Sequence, residues 1–562
     1  MVKVWCGLLG CVLALTLVAG PVTTAGPPAK DGLTAKVDKL FAKWDKPDAP
    51  GCALAIVKDG EVVYKRGYGM ASLEQAAPIG TGTLFLIASV SKRFTVFLIM
   101  LLAQGGRLSL DDDVRKHIPE LPNLGKTITI RHLIHHTSGL REELDVQALL
   151  GRGMEDVMTE RDFLSWVRDQ KALNFEPGSQ HLYCNTGYSL LGLIVQRASG
   201  KSVRAYAEEK VFGPLGMKNT IFRDDHRMVI KNAATSYAPR PGGGLQRINV
   251  AYAMAGATNL FTTVEDLARW DQNFYDGRVG GKALIEDMLR KGRLNNGKEI
   301  AYAGGLSHED YRGLKTVRHD GSHGGFRSTI LRFPEQRFSV IILANVADSQ
   351  PSLLAKKIAD LYLADKFKPT PVRLDGIKVA AKILDGYAGS YKMAPGLIMD
   401  FRREGEQLVA SVPGTKWLLE AASETEFFAK AAPLRCRFVK SAEGQVEKVV
   451  GALGSQDLAG RPIRPAKLTP EQLKSYVGDY YSDELRVIYT VSVRDGKLLV
   501  RHPRGETPVQ AWEGEEFSGG LGTPFREMQF TRGVGKQVNG FLVSTGRLRN
   551  LRFAKVEIRP NP

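Results

Sequence analysis

Cysteine is scarce in this sequence, with five residues in a chain of 562. Beyond the N-terminal apolar run, only Cys52, Cys184 and Cys436 remain. An odd and widely spaced set of cysteines does not provide a disulfide framework. The spacing also differs from that of structural zinc ligands. We therefore predict a fold without disulfide staples, and neither a metal ion nor another cofactor is expected.

Basic tracts and long apolar segments are also missing. The net charge is +17, but the excess of lysine and arginine is spread along the chain. A diffuse positive charge is typical of a solvated surface, so nucleic acid is not predicted as a partner. Downstream of the N-terminus, no stretch is long and apolar enough to form a transmembrane helix. The length indicates a globular protein of more than one domain.

The first 25 residues have the form of a signal peptide. Lys3 supplies the positive start, residues 4–19 the apolar core, and residues 23–25 a small-residue cleavage region. Residues 8–11 resemble a lipoprotein box that ends at Cys11. The apolar run continues past Cys11, which favours ordinary cleavage over lipid anchoring. The sequence thus predicts export, to the periplasm or the medium.

A short apolar helix is predicted over residues 94–102, with a stop at the glycines 105–106. Ser89 and Lys92 stand at its front, three residues apart and so on one helical face. A serine hydroxyl is a weak nucleophile unless a base takes its proton. A lysine can be that base when burial disfavours its charge. The pair is a candidate nucleophile and base, and the alternative is a helix-capping serine beside an extended lysine.

Tyr183 and Asn185 stand just before another apolar segment, predicted as a helix over residues 189–195. Two positions apart on an extended segment, their side chains point the same way. A phenol and an amide in one cleft can move protons and hold an amide substrate. The alternative is a buried tyrosine beside a helix cap.

Further along, a glycine-rich segment carries His319, Gly321 and Ser322. Two β-rich runs follow, residues 328–333 and 339–345, and a proline turn joins them. This pattern predicts adjacent antiparallel strands. The glycines before the strands let the backbone approach a neighbouring group closely.

His132, His135 and His136 lie at helical spacing, which would suit a metal ion on one face. The glutamate of the H-E-x-x-H arrangement is missing. A structural histidine group that ends in a Ser-Gly turn fits this pattern better than a metal site.

The C-terminal part repeats itself at an offset of about 90 residues. Residues 384–391 recur as 473–480, and residues 426–427 recur as 516–517. Short alternating strands with glycine turns, present in two copies, predict two small β-barrels or β-sandwiches in tandem. A charged segment with two prolines, residues 365–375, is typical of a linker.

Three of these motifs, in this order, resemble those of the serine β-lactamase and penicillin-binding-protein hydrolases. The resemblance is to the branch that contains class C β-lactamases, DD-peptidases and D-aminopeptidases. Residues 89–92 resemble the first motif, residues 183–185 the second in its tyrosine form, and residues 319–321 the third, with histidine in place of lysine. The resemblance covers roughly residues 35–365. The C-terminal repeats resemble the paired lipocalin-like barrels of a D-aminopeptidase.

The resemblance implies the catalytic roles. Ser89 is expected to be the nucleophile that forms an acyl-enzyme. Lys92 and Tyr183 are expected to form the acid–base pair that takes its proton and later protonates the leaving group. Cys184, between Tyr183 and Asn185, replaces the commoner serine and is expected to point away from the cleft.

The same resemblance implies the groups that hold the substrate. Asn185, His319 and Gly321 are expected to contact it, and the backbone N–H groups of Ser89 and Ser322 to form the oxyanion hole. Histidine at position 319 argues against an efficient penicillinase, because such enzymes usually carry a fixed positive charge there. It also predicts an activity that is pH-sensitive near ~6.5.

The expected architecture has four parts. A signal peptide (1–25) precedes an α/β (α+β) β-lactamase-like catalytic domain (26–368), in which helices flank an antiparallel sheet. Two small antiparallel, lipocalin-like β-barrels follow, at 376–463 and 466–562.

The expected function is that of an exported serine hydrolase acting as a peptidase or amidase on small peptides, including peptides that contain D-residues. One alternative is a carboxylesterase with the same site. Another is an inactive cell-wall sensor or binding protein in which the barrels are the working part, and the complete motif set argues against it. The predicted partner is a small-molecule or short-peptide substrate.

Overall fold

The computed structural model describes residues 32–368, 376–430, 432, 434–453, 456–520 and 522–557. The predicted signal peptide, with Cys11, and most of the predicted linker lie outside the described residues. Across the described part of the chain, none of the helices combines the length and the apolar character that crossing a membrane requires.

Helices are concentrated in the part of the chain before residue 369, which we call the N-terminal domain. The helices are α1 (Gly32–Phe41), α2 (Lys92–Gln104), α3 (Ile130–Ile134), α4 (Glu143–Leu149), α5 (Glu160–Asp169), α6 (Asn185–Ser199), α7 (Val203–Ala207), α8 (Gly213–Leu215), α9 (Val264–Asp276), α10 (Gly281–Leu289), α11 (Pro351–Tyr362), α12 (Ala381–Asp385) and α13 (Pro470–Ser475). The last two each precede a C-terminal barrel.

The N-terminal domain has one main sheet and several short strand pairs. Its strands are β1 (Cys52–Lys58), β2 (Glu61–Tyr68), β3 (Met70–Ser72), β4 (Ala77–Pro78), β5 (Phe85–Leu86), β6 (Ile221–Phe222), β7 (Tyr237–Pro239), β8 (Leu245–Arg247), β9 (Leu260–Thr262), β10 (Ser307–Tyr311), β11 (Leu314–His323), β12 (Phe326–Phe333) and β13 (Phe338–Ala344). The main sheet has the order β10-β11-β12-β13-β1-β2, and all of its pairings are antiparallel. The prediction of adjacent antiparallel strands around residues 328–345 is confirmed by β12 and β13.

Helices cover both faces of this sheet. Along β1, Leu54 and Ile56 pack with α1 and α11, whereas Ala53 and Ala55 join the larger core that includes α2, α6 and α9. Successive residues of a strand point to opposite faces, so an unbroken apolar strand serves two helical layers. The predicted arrangement of an antiparallel sheet flanked by helices is confirmed.

Helix α2 crosses the middle of the larger core, where nearly all of its side chains are buried. It runs from Lys92 to Gln104 and ends at Gly105, as predicted. An apolar surface all round a helix of this length requires protein contacts on every side. The front of α2, where Ser89 and Lys92 lie, is thereby fixed in the interior of the domain.

The C-terminal part forms two closed eight-stranded barrels, which confirms the barrel prediction. The first barrel consists of β14 (Gly389–Ala394), β15 (Leu397–Glu404), β16 (Gln407–Val412), β17 (Thr415–Ala421), β18 (Glu426–Ala429), β19 (Leu434–Lys440), β20 (Val446–Leu453) and β21 (Gln456–Ile463). The second barrel consists of β22 (Gly478–Ser482), β23 (Val487–Arg494), β24 (Lys497–His502), β25 (Gly505–Trp512), β26 (Glu516–Ser518), β27 (Glu527–Arg532), β28 (Val538–Ser544) and β29 (Leu551–Val556).

The second barrel docks on the N-terminal domain through buried polar contacts. The guanidinium of Arg141 forms an ion pair with Glu484, 3.1 Å from Nη2 to Oε1, and both side chains are almost fully buried. The hydroxyl of Tyr489 donates to the carbonyl oxygen of Leu149 at 2.9 Å. The core of the second barrel is continuous with that of the N-terminal domain, whereas the core of the first barrel forms a separate cluster.

The first barrel contacts the second barrel. Lys392 Nζ lies 2.8 Å from a carboxylate oxygen of Glu516 and 2.8 Å from one of Glu527. Arg461 pairs with Glu516 at 2.5 Å. The two barrels are therefore joined by a cluster of opposite charges.

Candidate active site

Ser89 lies in a 3₁₀ turn, Ala88–Ser91, that leads directly into α2. Ala88 has a φ of 49°, in the left-handed region that side-chain-bearing residues rarely adopt. Such backbone strain clusters at functional sites, where the surrounding structure holds it in place. Ser91, the other serine of the motif, is fully buried, and its Oγ accepts a hydrogen bond from the Leu260 amide. Ser89 borders the cleft and is the serine available to a substrate.

Lys92 is fully buried directly beneath Ser89. Its Nζ lies 3.2 Å from Ser89 Oγ, 2.7 Å from Asn185 Oδ1 and 2.8 Å from the Ala257 carbonyl oxygen. The structure thus brings the predicted nucleophile and base within hydrogen-bond reach. This geometry favours the nucleophile–base hypothesis over a serine cap beside an extended lysine.

Burial lowers the pKa of Lys92 to about 7. The charges of Glu142 and Glu143 raise this pKa and that of Arg547 lowers it, but desolvation is the largest effect. A lysine whose pKa is near neutrality has a substantial unprotonated fraction at physiological pH. It can therefore accept the proton of a serine hydroxyl.

Tyr183 borders the cleft together with Ser89. A hydrogen bond with Ser89 lowers the pKa of the Tyr183 phenol, but burial raises it by more. The Nζ atom of Lys92 lies 5.0 Å from the centroid of the Tyr183 ring. Because the phenol stays protonated, Tyr183 is suited to give a proton, whereas Lys92 is suited to take one.

Asn185 begins α6, and its amide is engaged within the protein. Its Oδ1 accepts from Lys92, its Nδ2 donates to Glu142 Oε1 at 2.5 Å, and its backbone N–H donates to Glu142 Oε2 at 2.6 Å. Asn185 therefore holds the base in place as well as bordering the cleft. The thiol of Cys184 points away, toward the carbonyl oxygens of Leu140 and Arg141, as predicted.

Glu142 is a residue of this network that the motifs did not indicate. It is completely buried and precedes α4 as its N-cap. The available signal was the pair of adjacent glutamates, Glu142 and Glu143, a few residues after a Ser-Gly turn. Both carboxylates point inward, and Glu143 accepts from Tyr252 and Ser189.

His319 lies on β11, in the far wall of the cleft. Its Nδ1 is 2.7 Å from the Asp320 carbonyl oxygen, so this nitrogen carries the proton, and its Nε2 accepts from the Tyr302 hydroxyl at 3.0 Å. Burial lowers the pKa of His319 to about 3, helped by the charges of Arg93 and Lys92. The expectation that this histidine titrates near ~6.5 is therefore wrong, because a buried imidazole resists protonation. Titration near neutrality is instead expected from Lys92.

Gly321 and Ser322 follow on the same strand, next to the turn that carries Ser89. A Cβ atom at position 321 would lie 2.2 Å from the Ile87 carbonyl oxygen and 2.2 Å from Ser328 Oγ. Glycine is thus required for the close approach of β11 to the nucleophile turn. Ser89 and Ser322 border the same cleft, which is where the predicted oxyanion hole requires their amides.

The histidine group before α4 is built into the protein framework. His132 Nδ1 accepts from the Thr129 amide in a capping box of α3, and His136 Nδ1 accepts from the Cys184 amide at 3.0 Å. The His136 ring packs on Tyr183, with 4.2 Å between centroids. Within the described ranges, no three His, Cys, Asp or Glu side chains are grouped so that they could hold a metal ion. These contacts favour the structural interpretation of the histidines.

The cleft has a volume of about 830 Å³ and is bordered by both the N-terminal domain and the second barrel. Arg547, from the loop between β28 and β29, borders it together with Ser89. No motif indicated Arg547, because its relation to the site depends on how two distant parts of the chain dock. A serine with an adjacent lysine of lowered pKa and a protonated tyrosine, in an open cleft, defines a serine hydrolase of the acyl-enzyme type.

The comparisons with known proteins agree with this class. The sequence matches the Beta-lactamase family over residues 37–364, more than half of the chain, and the protein belongs to that family. It is therefore a serine hydrolase with the fold of that family, followed by two barrels.

Similar proteins carry several activities in their names. The chain is 28% identical over 431 residues to penicillin-binding protein 4* of Bacillus subtilis, covering 73% of this chain and 94% of that one. It is 27% identical over 372 residues to a D-aminopeptidase of Gluconobacter oxydans, covering 65% and 68%. The octameric penicillin-binding protein homologue of Pyrococcus abyssi matches in structure with a TM-score of 0.56 at 24% identity, covering 84% of this chain and 99% of that one. This last likeness shows the shared fold.

Proposed function

We propose that the protein is a peptidase or amidase that cleaves small peptides, including peptides with D-residues, through an acyl-enzyme on Ser89. The observation that carries this proposal is the contact of Ser89 Oγ with Lys92 Nζ at 3.2 Å. Lys92 takes the hydroxyl proton while the oxygen attacks the substrate carbonyl carbon. Tyr183 gives a proton to the departing amine as the C–N bond breaks. Water then attacks the acyl-enzyme and gives a proton to Tyr183, and Lys92 returns its proton to Ser89 Oγ as the ester bond breaks.

An unpaired strand edge supports a peptide substrate. β10 pairs with β11 only as far as Arg318, whereas β12 pairs with β11 through His323. In the described part of the chain, the edge of β11 beyond Arg318 has no strand partner, and this edge lies along the cleft. An extended peptide can add to such an edge through main-chain hydrogen bonds. An ester with a short acyl group has little backbone with which to do so.

The D-aminopeptidase among the similar proteins supports D-residues as substrate components. The neutral state of His319 supports the peptidase proposal over efficient penicillin hydrolysis, since the wall of the cleft lacks a fixed positive charge at that position. We also propose that the protein acts outside the cytoplasm after removal of residues 1–25. N-terminal sequencing of the mature protein tests this part: a chain that still begins at Met1 contradicts it.

The test of the function combines covalent labelling with a substrate panel. Wild-type protein is treated with a fluorophosphonate probe, and Ser89→Ala is compared with Ser91→Ala as the matched control. We expect labelling of the wild type and of S91A, because the Ser91 hydroxyl is buried in a contact with Leu260, and none of S89A. A wild type that is never labelled contradicts the proposal and favours an inactive binding protein.

The substrate panel separates the remaining candidates. D-amino-acid amides and D-residue dipeptides are compared with their L-counterparts, with short-chain nitrophenyl esters and with a chromogenic cephalosporin. We expect kcat/KM to be highest for the amides or dipeptides, and higher for their D-forms than for their L-forms. Turnover restricted to esters would establish the carboxylesterase alternative instead.

A further inference from the structure

The last hairpin of the second barrel reaches the active site. Strands β28 and β29 are joined by six residues, 545–550. The amide of Arg547 donates to the Asp145 carboxylate at 3.0 Å, and the hydroxyl of Thr545 donates to the same carboxylate. Asn174 Nδ2 donates to the Arg547 carbonyl oxygen at 3.0 Å. The loop is therefore held in a defined position on the N-terminal domain.

The side chain of Arg547 points at the catalytic network. Its Nη2 lies 3.3 Å from Glu142 Oε1, and the Glu142 side chain is completely buried. The guanidinium carbon lies 5.6 Å from the centroid of the Tyr183 ring. A buried carboxylate requires a compensating charge or several hydrogen bonds, and for Glu142 the second barrel supplies the charge.

An unbroken series of polar contacts leads from this arginine to the nucleophile. Glu142 binds the Asn185 amide at 2.5 Å, and Asn185 in turn accepts from Lys92 at 2.7 Å. Lys92 then reaches Ser89 at 3.2 Å. The second barrel is thus three contacts away from the base that the proposed mechanism uses.

We propose that Arg547 is a positioning residue that neutralises Glu142 and thereby allows Lys92 to work as an unprotonated base. This inference rests on the proposed function, in which Lys92 takes the proton of Ser89. It makes docking of the second barrel a condition for full reactivity of a serine in another domain.

Charged and titratable groups surround Lys92 on every side. They belong to α2 itself, the start of α4, the segments around α3 and α6, strand β11 and the second barrel. They are Arg93, Glu142, Glu143, His136, Tyr183, Cys184, Tyr188, His319, His323 and Arg547. Burial lowers the pKa values of the three histidines, which leaves them neutral near pH 7. Burial raises the pKa of the Tyr183 phenol, of the Cys184 thiol to about 12, and of Glu143 to about 7. After burial, the charge balance at Lys92 therefore depends on Glu142, then on Glu143, and then on Arg547, the one fixed positive charge among these three.

The sign of the effect follows from these charges. The Glu142 carboxylate favours the protonated, ammonium form of Lys92. The Arg547 guanidinium, which pairs with Glu142, disfavours that form. Removal of the Arg547 charge therefore raises the pKa of Lys92. An ammonium cannot accept the proton of Ser89, so the pH at which reactivity appears moves upward.

The test measures the second-order rate of fluorophosphonate labelling between pH 5 and 10. For Arg547→Gln we expect the acid limb of the profile to move up by about one pH unit. At pH 6 the labelling rate of R547Q is then expected to be roughly tenfold lower than that of the wild type, and at high pH the two rates are expected to be equal. Arg547→Lys restores the charge and is expected to place the limb closer to the wild type. An acid limb that does not move in R547Q overturns the proposal, because Arg547 then has no effect on Lys92. A labelling rate that falls by the same factor at every pH also overturns it, because that result indicates a purely structural role of Arg547.

Arg549→Gln is the matched control. Arg549 lies in the same loop and has the same charge, but its guanidinium donates to Gln180 at the surface. We expect its profile to superimpose on that of the wild type. The double variant E142Q/R547Q removes both charges and is expected to move the limb back toward the wild-type position. A double variant that keeps the full shift of R547Q contradicts the proposed route through Glu142.

A direct titration separates failure of this inference from failure of the proposed function. The ε-¹³C NMR signal of Lys92, assigned by its loss in Lys92→Arg, reports the protonation of this residue without any catalysis. If the wild type is never labelled, the proposed function fails, but the titration still decides the inference. A Lys92 pKa that is higher in R547Q than in the wild type supports the role proposed for Arg547. Equal Lys92 pKa values in the two proteins overturn it.

Discussion

The two C-terminal barrels come from one sequence repeat, but they contact the rest of the molecule differently. The second barrel shares its core with the N-terminal domain, and the first barrel has a core of its own. The last hairpin differs in length: two residues separate β20 from β21, whereas six separate β28 from β29. The longer loop carries Arg547 to the cleft. The longer hairpin loop is thus one of the differences by which the second barrel reaches the active site.

The largest effect is expected from truncation of a phenylalanine at equivalent positions in the cores of the two barrels. Phe438 stacks on Tyr387 in the first barrel with 4.1 Å between centroids, and Phe530 packs on Tyr476 in the second with 4.6 Å. Truncation of either phenylalanine to alanine is expected to cost about 3–5 kcal/mol in the stability of its own barrel. Thermal unfolding combined with fluorophosphonate labelling measures both effects. We expect F530A to lose labelling as its barrel unfolds and F438A to retain it; equal losses would mean that both barrels support the site.

The buried ion pair at the docking surface is the next largest contribution. Arg141→Met leaves the Glu484 carboxylate buried without its partner, which is expected to cost about 3 kcal/mol. The lost docking should also lower the labelling rate, because Arg141 additionally donates to the Arg549 carbonyl in the active-site loop. Lys392→Met is the matched variant at the contact between the two barrels. Its labelling rate should equal that of the wild type, and a comparable loss in K392M would contradict the distinction drawn between the barrels.

A smaller effect is expected from a hydroxyl that the second barrel has at a position where the first barrel has none. Tyr489 of β23 occupies the place that Met399 has in β15, and its hydroxyl donates to the Leu149 carbonyl oxygen at 2.9 Å. Tyr489→Phe removes this bond and is expected to cost about 1 kcal/mol. Thermal denaturation of Y489F measures the loss, and Met399→Leu serves as a volume-conserving control in the first barrel. If Y489F is as stable as the wild type, the Tyr489 hydroxyl does not contribute to docking.

The smallest effect is expected from an exposed ion pair at the edge of the docking surface. Arg486 lies 2.8 Å from Asp169, but 64% of the arginine side chain is exposed to solvent. Such pairs typically contribute less than about 1 kcal/mol. Arg486→Ala should therefore change neither the melting temperature nor the labelling rate beyond error. A loss similar to that of R141M would show that exposed charges share the docking energy.

The sequence predicts much of this molecule through local patterns. The apolar surface of α2 predicts a buried helix, and the spacing of Ser89 and Lys92 predicts one shared face. Residues 183–185 and 319–321 complete motifs of fixed order, which the fold places around a single cleft. The barrels follow from alternating strands that occur twice. Each of these features depends on residues that are close together in the chain.

What the sequence does not predict depends on contacts between distant segments. Glu142 becomes part of the site because α6 packs against the segment before α4, and Arg547 does so because two domains dock. The protonation of His319 also escapes sequence analysis. A histidine at this position titrates or stays neutral according to its burial, and burial is a property of the assembled fold.

The docking surface joins segments that lie far apart in the chain, which bears on how the protein folds. Arg141 and Glu484 are separated by 343 positions, so this ion pair can form only after the chain has been made as far as the second barrel. Contacts between such distant segments are slow to form, because a large loop must first close. The N-terminal domain contains every residue of the predicted catalytic motifs, yet the loop that contacts Glu142 is made about 400 positions later in the chain. The chain therefore carries a built-in delay between the appearance of its nucleophile and the completion of its active site.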